Sequence, residues 1–367
     1  MSIRKSPSTI GASTFDPEAL LSNADLHTKT REALSNNDLR LAITTTFGLS
    51  VTNDKYTYHA GAASVNLGDV QGAIRAGGVN GLCDWYRDPE GVVQYPSPGD
   101  VAAYIALFDP SKVAGNALKG FKANAKKGSL RAGIAECLTS KRFVDSSVVV
   151  PRSKKSQPNV YADFWTWSCF SLKWAGPDTN SVNVKMSHHV LPVFMHHFGC
   201  VCPSYESLEI IKAVSAGKLV LDIGSGNGYW TYMLRRHGCE VKAVDNGQST
   251  WRTIWIEDTV VADGVRFLKK SRPGQGKGDV LLLVYPVVGL EFTTGVLDAY
   301  KGDVVCVAGT QNENGYTGFK DETIDQWMER ERPEFKKIVQ VPLPSFAGKD
   351  DALFVFRRQS EALPALE

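Results

Sequence analysis

KLVLDIGSGNGYWTYML, Lys218 to Leu234, is the stretch on which the reading of this chain turns. Leu219–Asp222 is an apolar run without alternation that ends on an acid, the pattern of a strand buried on both faces. Gly224, Gly226 and Gly228 follow at every second position. A helix over Tyr229–His237 comes next, with Arg235, Arg236 and His237 in its last turn and Gly238 beyond, as helix C-termini prefer. Glu240–Asp245 then reads as a second strand, and its terminal acid lies 23 residues after Asp222. The whole is a βαβ unit whose glycine loop sits at the mouth of a parallel sheet, with Asp245 placed for a pair of ribose hydroxyls.

A dinucleotide loop requires G-x-G-x-x-G, the third glycine giving close helix–strand packing beneath the pyrophosphate. Tyr229 stands at that third position and would crowd the helix N-terminus. The spacing is instead D-x-G-x-G-x-G, which resembles motif I of the class I S-adenosylmethionine-dependent methyltransferases. The resemblance runs over residues 204–358. VVADGVRFL carries Asp263, DVLLLVYP (279–286) resembles the fourth strand with motif IV, and DVVCVAGT (303–310) resembles the fifth. FKKIVQVPL and ALFVFRR resemble the closing antiparallel hairpin. It implies an α/β fold: a seven-stranded, mostly parallel Rossmann-like sheet with one antiparallel strand, behind a mainly helical N-terminal cap (1–203) and ahead of a tail (359–367). It implies S-adenosylmethionine as cofactor, held by Asp222, Gly224, Ser225, Gly226, Asn227, Gly228, Asp245, Asn246, Asp263, Gly264 and Tyr285. One departure stands out. Only 18 residues separate Asp245 from Asp263, so GQSTWRTIWIEDT, with Trp251 and Trp255, replaces the usual second helix by an irregular segment.

The remaining composition excludes more than it selects. The chain has 367 residues, 43% apolar and 22% charged, an ordinary globular mix long enough for two domains or one domain with a large extension. Seven cysteines without a CxxC read as reduced thiols of a cytoplasmic protein. The basic, acid-free start reads as a frayed tail rather than a transit peptide, and the longest apolar run, 280–290, is too short for a bilayer. No metal is expected, because Cys200 and Cys202 with His188, His189, His196 and His197 fit no common zinc spacing. Pro192 between the histidine pairs argues against one regular helix through them.

The methyl acceptor is read from residues just after the strands, since ligands bind at the carboxyl ends of open α/β sheets. Tyr285 and Pro286 follow the fourth strand without the Asn/Asp of amino-group methyltransferases. Gln311, Asn312, Glu313 and Asn314 form a polar loop after the fifth. The expected catalytic set is Tyr285, His188 or His189, and Asn312, with Trp165, Trp167, Tyr161, Gln311 and Asn314 around the acceptor. The competing bland reading makes the histidines core residues and the loop an ordinary turn. The aromatic-rich extension favours a small-molecule acceptor under an N-terminal lid. The alternative is a macromolecular acceptor or binding partner, RNA or protein, gripped by residues 112–155. That segment carries eleven Lys/Arg against two acids, so it is +9 while the rest of the chain is −7. Nucleic acid is not favoured, because the segment holds only Phe121 and Phe143 for stacking.

Overall fold

The computed structural model describes residues 15–50, 56–60, 63–153, 158–248, 252–288, 291–314 and 317–359. The basic start, Trp251, Lys154, Lys155 and most of the tail lie outside them. The C-terminal half alternates as its sequence pattern demands. In order it contains α10 (Tyr205–Ser215), β6 (Val220–Ile223), α11 (Tyr229–Arg236), β7 (Val241–Asp245), β8 (Val260–Val261) and the short α12 (Gly264–Arg266). Then come β9 (Val280–Val284), α13 (Phe292–Ala299), β10 (Val304–Thr310), α14 (Ile324–Glu331), β11 (Phe335–Pro342) and β12 (Asp351–Arg358). Ahead of them run α1 (Pro17–Ser22), α2 (Ala24–Ser35), α3 (Leu39–Phe47), the strands β1 (Thr57–Ala60) and β2 (Ala63–Asn66), and α4 (Leu67–Ala76). These are followed by β3 (Tyr86–Arg87), β4 (Val93–Gln94), α5 (Pro98–Ile105), α6 (Ala114–Ala123), α7 (Leu130–Lys141), β5 (Phe143–Val144), α8 (Val160–Ser171) and α9 (Val190–His197).

The sheet order is β5-β11-β12-β10-β9-β6-β7-β8. β6, β7, β8, β9 and β10 pair in parallel, while β12 runs antiparallel to both β10 and β11. This is the mostly parallel sheet implied by the motif-I resemblance, with β6 in its interior, but it differs in count. An eighth strand, β5, comes from the middle of the basic segment and pairs antiparallel with β11 through Val339↔Val144 and Gln340↔Phe143. Two strands rather than one therefore oppose the parallel set.

The eighth strand signals that residues 15–203 are more than a cap. Alternate residues of each strand enter different cores. Leu221, Ile223, Leu281, Leu283, Val305, Val307, Phe354 and Phe356 pack against α13 and α14 through Val296, Leu297, Trp327 and Met328. Val220, Val280, Leu282, Cys306, Ala308, Leu353 and Val355 share one continuous core with Ile43, Tyr58, Tyr104, Phe164, Trp174 and Phe194 of the N-terminal half. The boundary at 203/204 is thus no break in packing, because the first half of the chain joins α10 and α11 in covering one face of the sheet. Pro192 does not interrupt α9, for the helix begins at Val190 and the proline falls in its first turn, where no backbone donor is needed. The described part of the segment between β7 and β8 forms no helix, as expected from its length. It is anchored on α9 and the glycine loop by Thr253 N–H to the His196 carbonyl (3.1 Å) and Trp255 N–H to the Asn227 carbonyl (2.9 Å).

Candidate functional site

The chain leaves β6 through Gly224, Gly226 and Gly228, whose φ angles are 79°, 59° and 81°. All three fall in the left-handed region that glycine alone enters without cost. At Gly228 space demands glycine as well, since a Cβ would run into the Ile256 side chain. The loop is pinned to β7 by Gly224 N–H to the Val244 carbonyl, 2.8 Å.

Two acids lie on either side of this loop. Asp245, at the end of β7, accepts Gly226 N–H at 3.0 Å on one oxygen and Gly247 N–H at 2.9 Å on the other. Each oxygen keeps a second lone pair. Asp222 is wholly buried in β6. Its Oδ2 accepts the Thr231 hydroxyl at 2.6 Å, while Oδ1 and the nearby Ser225 hydroxyl have no partner among the described residues. Burial pushes the Asp222 carboxyl up to about 7; the Thr231 bond opposes the shift and the charge of Asp245 adds to it. Beside Asp245 opens a cleft of about 170 Å³, lined by Gly226, Gly247, Ile254, Ile256 and Val261. Asp263, two residues after Val261, is exposed and accepts Arg266 N–H at 2.8 Å. Asn246 is exposed and accepts Gln248 N–H, whereas Gly264 is buried so closely that a Cβ there would run into Ile223.

The N-terminus of α11 is closed to phosphate. Asn227 accepts Tyr229 N–H at 3.3 Å and donates its amide to the His197 carbonyl at 3.3 Å. The Tyr229 hydroxyl, in turn, donates to Asn159 Oδ1 at 2.7 Å. One backbone donor that a pyrophosphate would need is therefore used within the protein. Asn227→Ala removes both side-chain bonds and is expected to lower stability by about 1–2 kcal/mol. Urea unfolding measures it, and an unchanged midpoint would contradict the role.

Tyr285 follows β9 with φ 52°, a left-handed conformation uncommon for a bulky residue. Strand alternation would send its side chain to the α13/α14 face, since Val284 faces the other core. The left-handed turn reverses this, and the ring packs against the core shared with the N-terminal half. Its N–H donates to the Ala308 carbonyl at 2.7 Å. Tyr285 thus lies at the carboxyl edge of the sheet, on the same face to which Asp222 and Asp245 alternate.

The histidines do different work from that expected. His197 is core. Its ring stacks on Phe47 at 3.9 Å, and its nitrogens bond Thr253 Oγ1 (2.7 Å) and Tyr58 OH (3.1 Å). His188 is buried and accepts Val190 N–H at 3.1 Å. Burial, with His189 beside it, holds its pKa down at about 4, too far from neutrality for an effective proton acceptor. His188 Nε2 and His189 Nδ1 both lack a hydrogen-bond partner among the described residues, and of the two rings only that of His189 is half-buried rather than buried.

The expected acceptor wall of Trp165, Trp167 and Tyr161 is also corrected. All three are buried in the fold, where their polar atoms are consumed. Trp165 donates to the Ser345 carbonyl (2.9 Å), Trp167 to Asn37 Oδ1 (2.9 Å), and the Tyr161 hydroxyl to the Gly199 carbonyl (3.2 Å). Gln311 is likewise structural, bridging Asp350 Oδ1 (2.8 Å) and Gln340 (3.0 Å). Asn312 accepts the Thr310 hydroxyl at 2.8 Å and leaves its Nδ2 without a partner among the described residues. Asn314 donates to the carbonyls of Ser181 (3.4 Å) and Val184 (3.1 Å), tying this loop to the segment that leads into α9.

Sequence reading passed over Lys349, Asp350 and Asp351 in the turn GKDD, which looks like an exposed β-turn. All three are buried, because residues 341–350 run beneath the N-terminal half. The signal available was the reach of the basic segment: Lys141 of α7 forms an ion pair with Asp350. That segment is widely spent in this way. Arg142 pairs with Glu206, Arg131 with Asp100, Lys122 with Glu136 and Lys112 with Asp109. Among the described residues no group of His, Cys, Asp and Glu is arranged to hold a metal ion, and no helix is long and apolar enough to cross a membrane.

No protein-family model and no curated protein matches the sequence. Among solved structures, the chain is similar to the 1,6-didemethyltoxoflavin-N1-methyltransferase of Burkholderia thailandensis, solved with 1,6-didemethyltoxoflavin and S-adenosylhomocysteine. Identity is 15% over 39% of this chain and 72% of that one, with a TM-score of 0.28. A SAM-dependent methyltransferase from Anabaena variabilis gives 12% identity over 39% and 77%, TM-score 0.30. An O-methyltransferase of neocarzinostatin biosynthesis, in complex with S-adenosylhomocysteine and 1,4-dihydroxy-2-naphthoic acid, gives 12% over 95% and 98%, TM-score 0.24. Overlaps this loose bear on no residue of the chain.

Proposed function

We propose that this protein is an S-adenosylmethionine-dependent methyltransferase acting on a small-molecule acceptor. The observation that carries the reading is the loop Gly224–Gly228 clasped by Asp245, with the small apolar-walled cleft beside it. The residues present fit the cofactor. Asp245 keeps lone pairs for ribose hydroxyls, Ile254, Ile256 and Val261 offer an apolar bed for adenine, and Asp263 stands exposed for its amino group. Asp222, with an unpartnered buried oxygen beneath the loop, offers a carboxyl that a cationic ligand would draw into its charged form. A phosphate-bearing dinucleotide has no such match, because Asn227 and Tyr229 close the helix N-terminus.

S-adenosylmethionine, when bound, supplies a methyl group already activated on a sulfonium. What remains for the chain is positioning and the exclusion of water. Tyr285 is turned by its left-handed backbone towards the core shared with the N-terminal half, against which its ring packs. The alternative of a macromolecule gripped by residues 112–155 loses support, because five of that segment's cations are engaged in ion pairs.

Calorimetry with S-adenosylhomocysteine and with NAD tests the cofactor. Binding of the first and not the second is expected, and equal or tighter binding of NAD would overturn the reading. Incubation with methyl-labelled S-adenosylmethionine and metabolite extracts should place label in the low-mass fraction. Label found only in RNA or protein would favour the alternative.

A further inference from the structure

We propose that Asp351 takes the proton from the methyl acceptor, and that the acceptor is a phenolic hydroxyl compound. This rests on the methyltransferase reading above and names the chemistry of its second substrate.

Asp351 opens β12 opposite Thr310, the last residue of β10, so it lies on the carboxyl rim of the parallel strands. Along that rim the order is Asp245 of β7, the glycine loop after β6, Tyr285 after β9, the end of β10, then Asp351. Tyr285 and Asp351 stand two strand spacings apart, about 10 Å. Leu353 and Val355 belong to the core shared with the N-terminal half. By alternation Asp351 faces that same side, as do Asp222, Asp245 and the turned Tyr285. Its residue is 1% exposed, and its Oδ1 has no partner among the described residues. An unsatisfied carboxylate oxygen at this depth is costly unless something polar meets it.

The charged and titratable surroundings are specific. Lys349 and Asp350 come from its own turn, Cys200 from the segment after α9 and Tyr161 from α8. Arg252 lies beside Cys200, and Lys141 of α7 engages Asp350. Burial raises the Asp351 carboxyl to about 7; Asp350 adds to the shift and Lys349 opposes it. Its carboxylate is therefore a base matched to neutral pH, which His188 is not.

The same surroundings select the acceptor. Lys349 and Arg252 are cations that would repel an ammonium group and stabilise an oxygen gaining negative charge. A phenol ionises near 10, close enough to a base of about 7 for transfer within the reaction, whereas an aliphatic alcohol lies far above. In the step, the acceptor O–H gives its proton to Asp351 Oδ1 as the oxygen lone pair forms the new O–CH3 bond. The methyl–sulfur bond breaks with its electron pair left on sulfur, giving a neutral thioether, and Asp351 later returns the proton to solvent.

The test uses the full chain with simple mono- and dihydroxybenzenes and their amino counterparts as acceptors, and S-adenosylhomocysteine as a binding probe. Wild-type methylation of hydroxybenzenes should rise with pH and level off above about 7. Asp351→Asn should bind S-adenosylhomocysteine as tightly as wild type, turn over roughly 10²- to 10⁴-fold more slowly, and lose the rising limb. Removing a cation in Lys349→Met should move that limb to higher pH. Should Asp351→Asn not fold, the wild-type profile and Lys349→Met still decide. A readout independent of turnover is the unfolding midpoint of the unliganded protein, whose fall as pH rises towards 7 should shrink in Asp351→Asn. The proposal is overturned by turnover of Asp351→Asn within fivefold of wild type, by a flat wild-type profile across pH 7, or by methylation of amines but of no hydroxybenzene. Absence of any hydroxybenzene product despite S-adenosylhomocysteine binding overturns it too. Failure of wild type to bind S-adenosylhomocysteine strikes the methyltransferase reading itself.

Discussion

Asp222→Asn is expected to stabilise the unliganded protein above about pH 7 by up to about 4 kcal/mol, and to change little below about pH 4. The folded carboxyl holds its proton up to about 7, against 3.8 for the ordinary group, chiefly because it is buried. Between those two values the folded state keeps a proton that the unfolded chain has released. The stability tied to this group is thus fully present below the lower value and is lost as pH rises through the upper one. Asparagine can still accept the Thr231 hydroxyl and carries no charge to desolvate. Urea unfolding of wild type and variant at pH 5 and pH 8 measures the difference. Equal stabilities at pH 8 would show that Asp222 is not a buried carboxylate there. The acid that weakens the empty fold is explained if its charge serves a cationic ligand, an exchange of stability for function.

Asp245→Ala should weaken S-adenosylhomocysteine binding by about 2–3 kcal/mol, roughly 30- to 150-fold, through loss of charge-assisted hydrogen bonds. The carboxylate also holds Gly226 N–H and Gly247 N–H, so alanine frees the loop as well as removing the ribose contact. Asp245→Asn keeps one acceptor oxygen and is expected to fall between the two. Undiminished affinity of the alanine variant in calorimetry would remove Asp245 from the cofactor site.

The central sheet was legible because its information is local. Leu219–Asp222 and Asp303–Thr310 are apolar on both faces, and their bounds moved by a residue at most. β5 was not legible. Two residues carry no periodic pattern, and their conformation comes from pairing with β11, almost two hundred positions away. Burial of polar groups was equally hidden. Gln311 and Asp351 follow ordinary turn chemistry until distant segments meet there: Gln340 and Asp350 hold Gln311, and Lys141 pairs with Asp350. The aromatic block misled for a related reason. A count of tryptophans says nothing of where each indole N–H finds its acceptor, and Ser345 and Asn37 are distant in sequence. Tyr285 could be placed at the end of β9, but its left-handed turn, which decides the face it serves, follows from no residue near it.

β12 follows β11 in the chain, yet it lies between β10 and β11 and joins them. Until residue 358 has emerged, β11 and the β5 strand paired to it have no attachment to the rest of the sheet. The apolar face of the first two hundred residues then has only an incomplete surface to cover. Assembly of the sheet therefore waits for β12, with a large apolar surface exposed in the meantime. A nascent chain of this design depends on holding chaperones more than one built from consecutive hairpins. Truncation within β12 should abolish the fold as a whole rather than trim an edge from it.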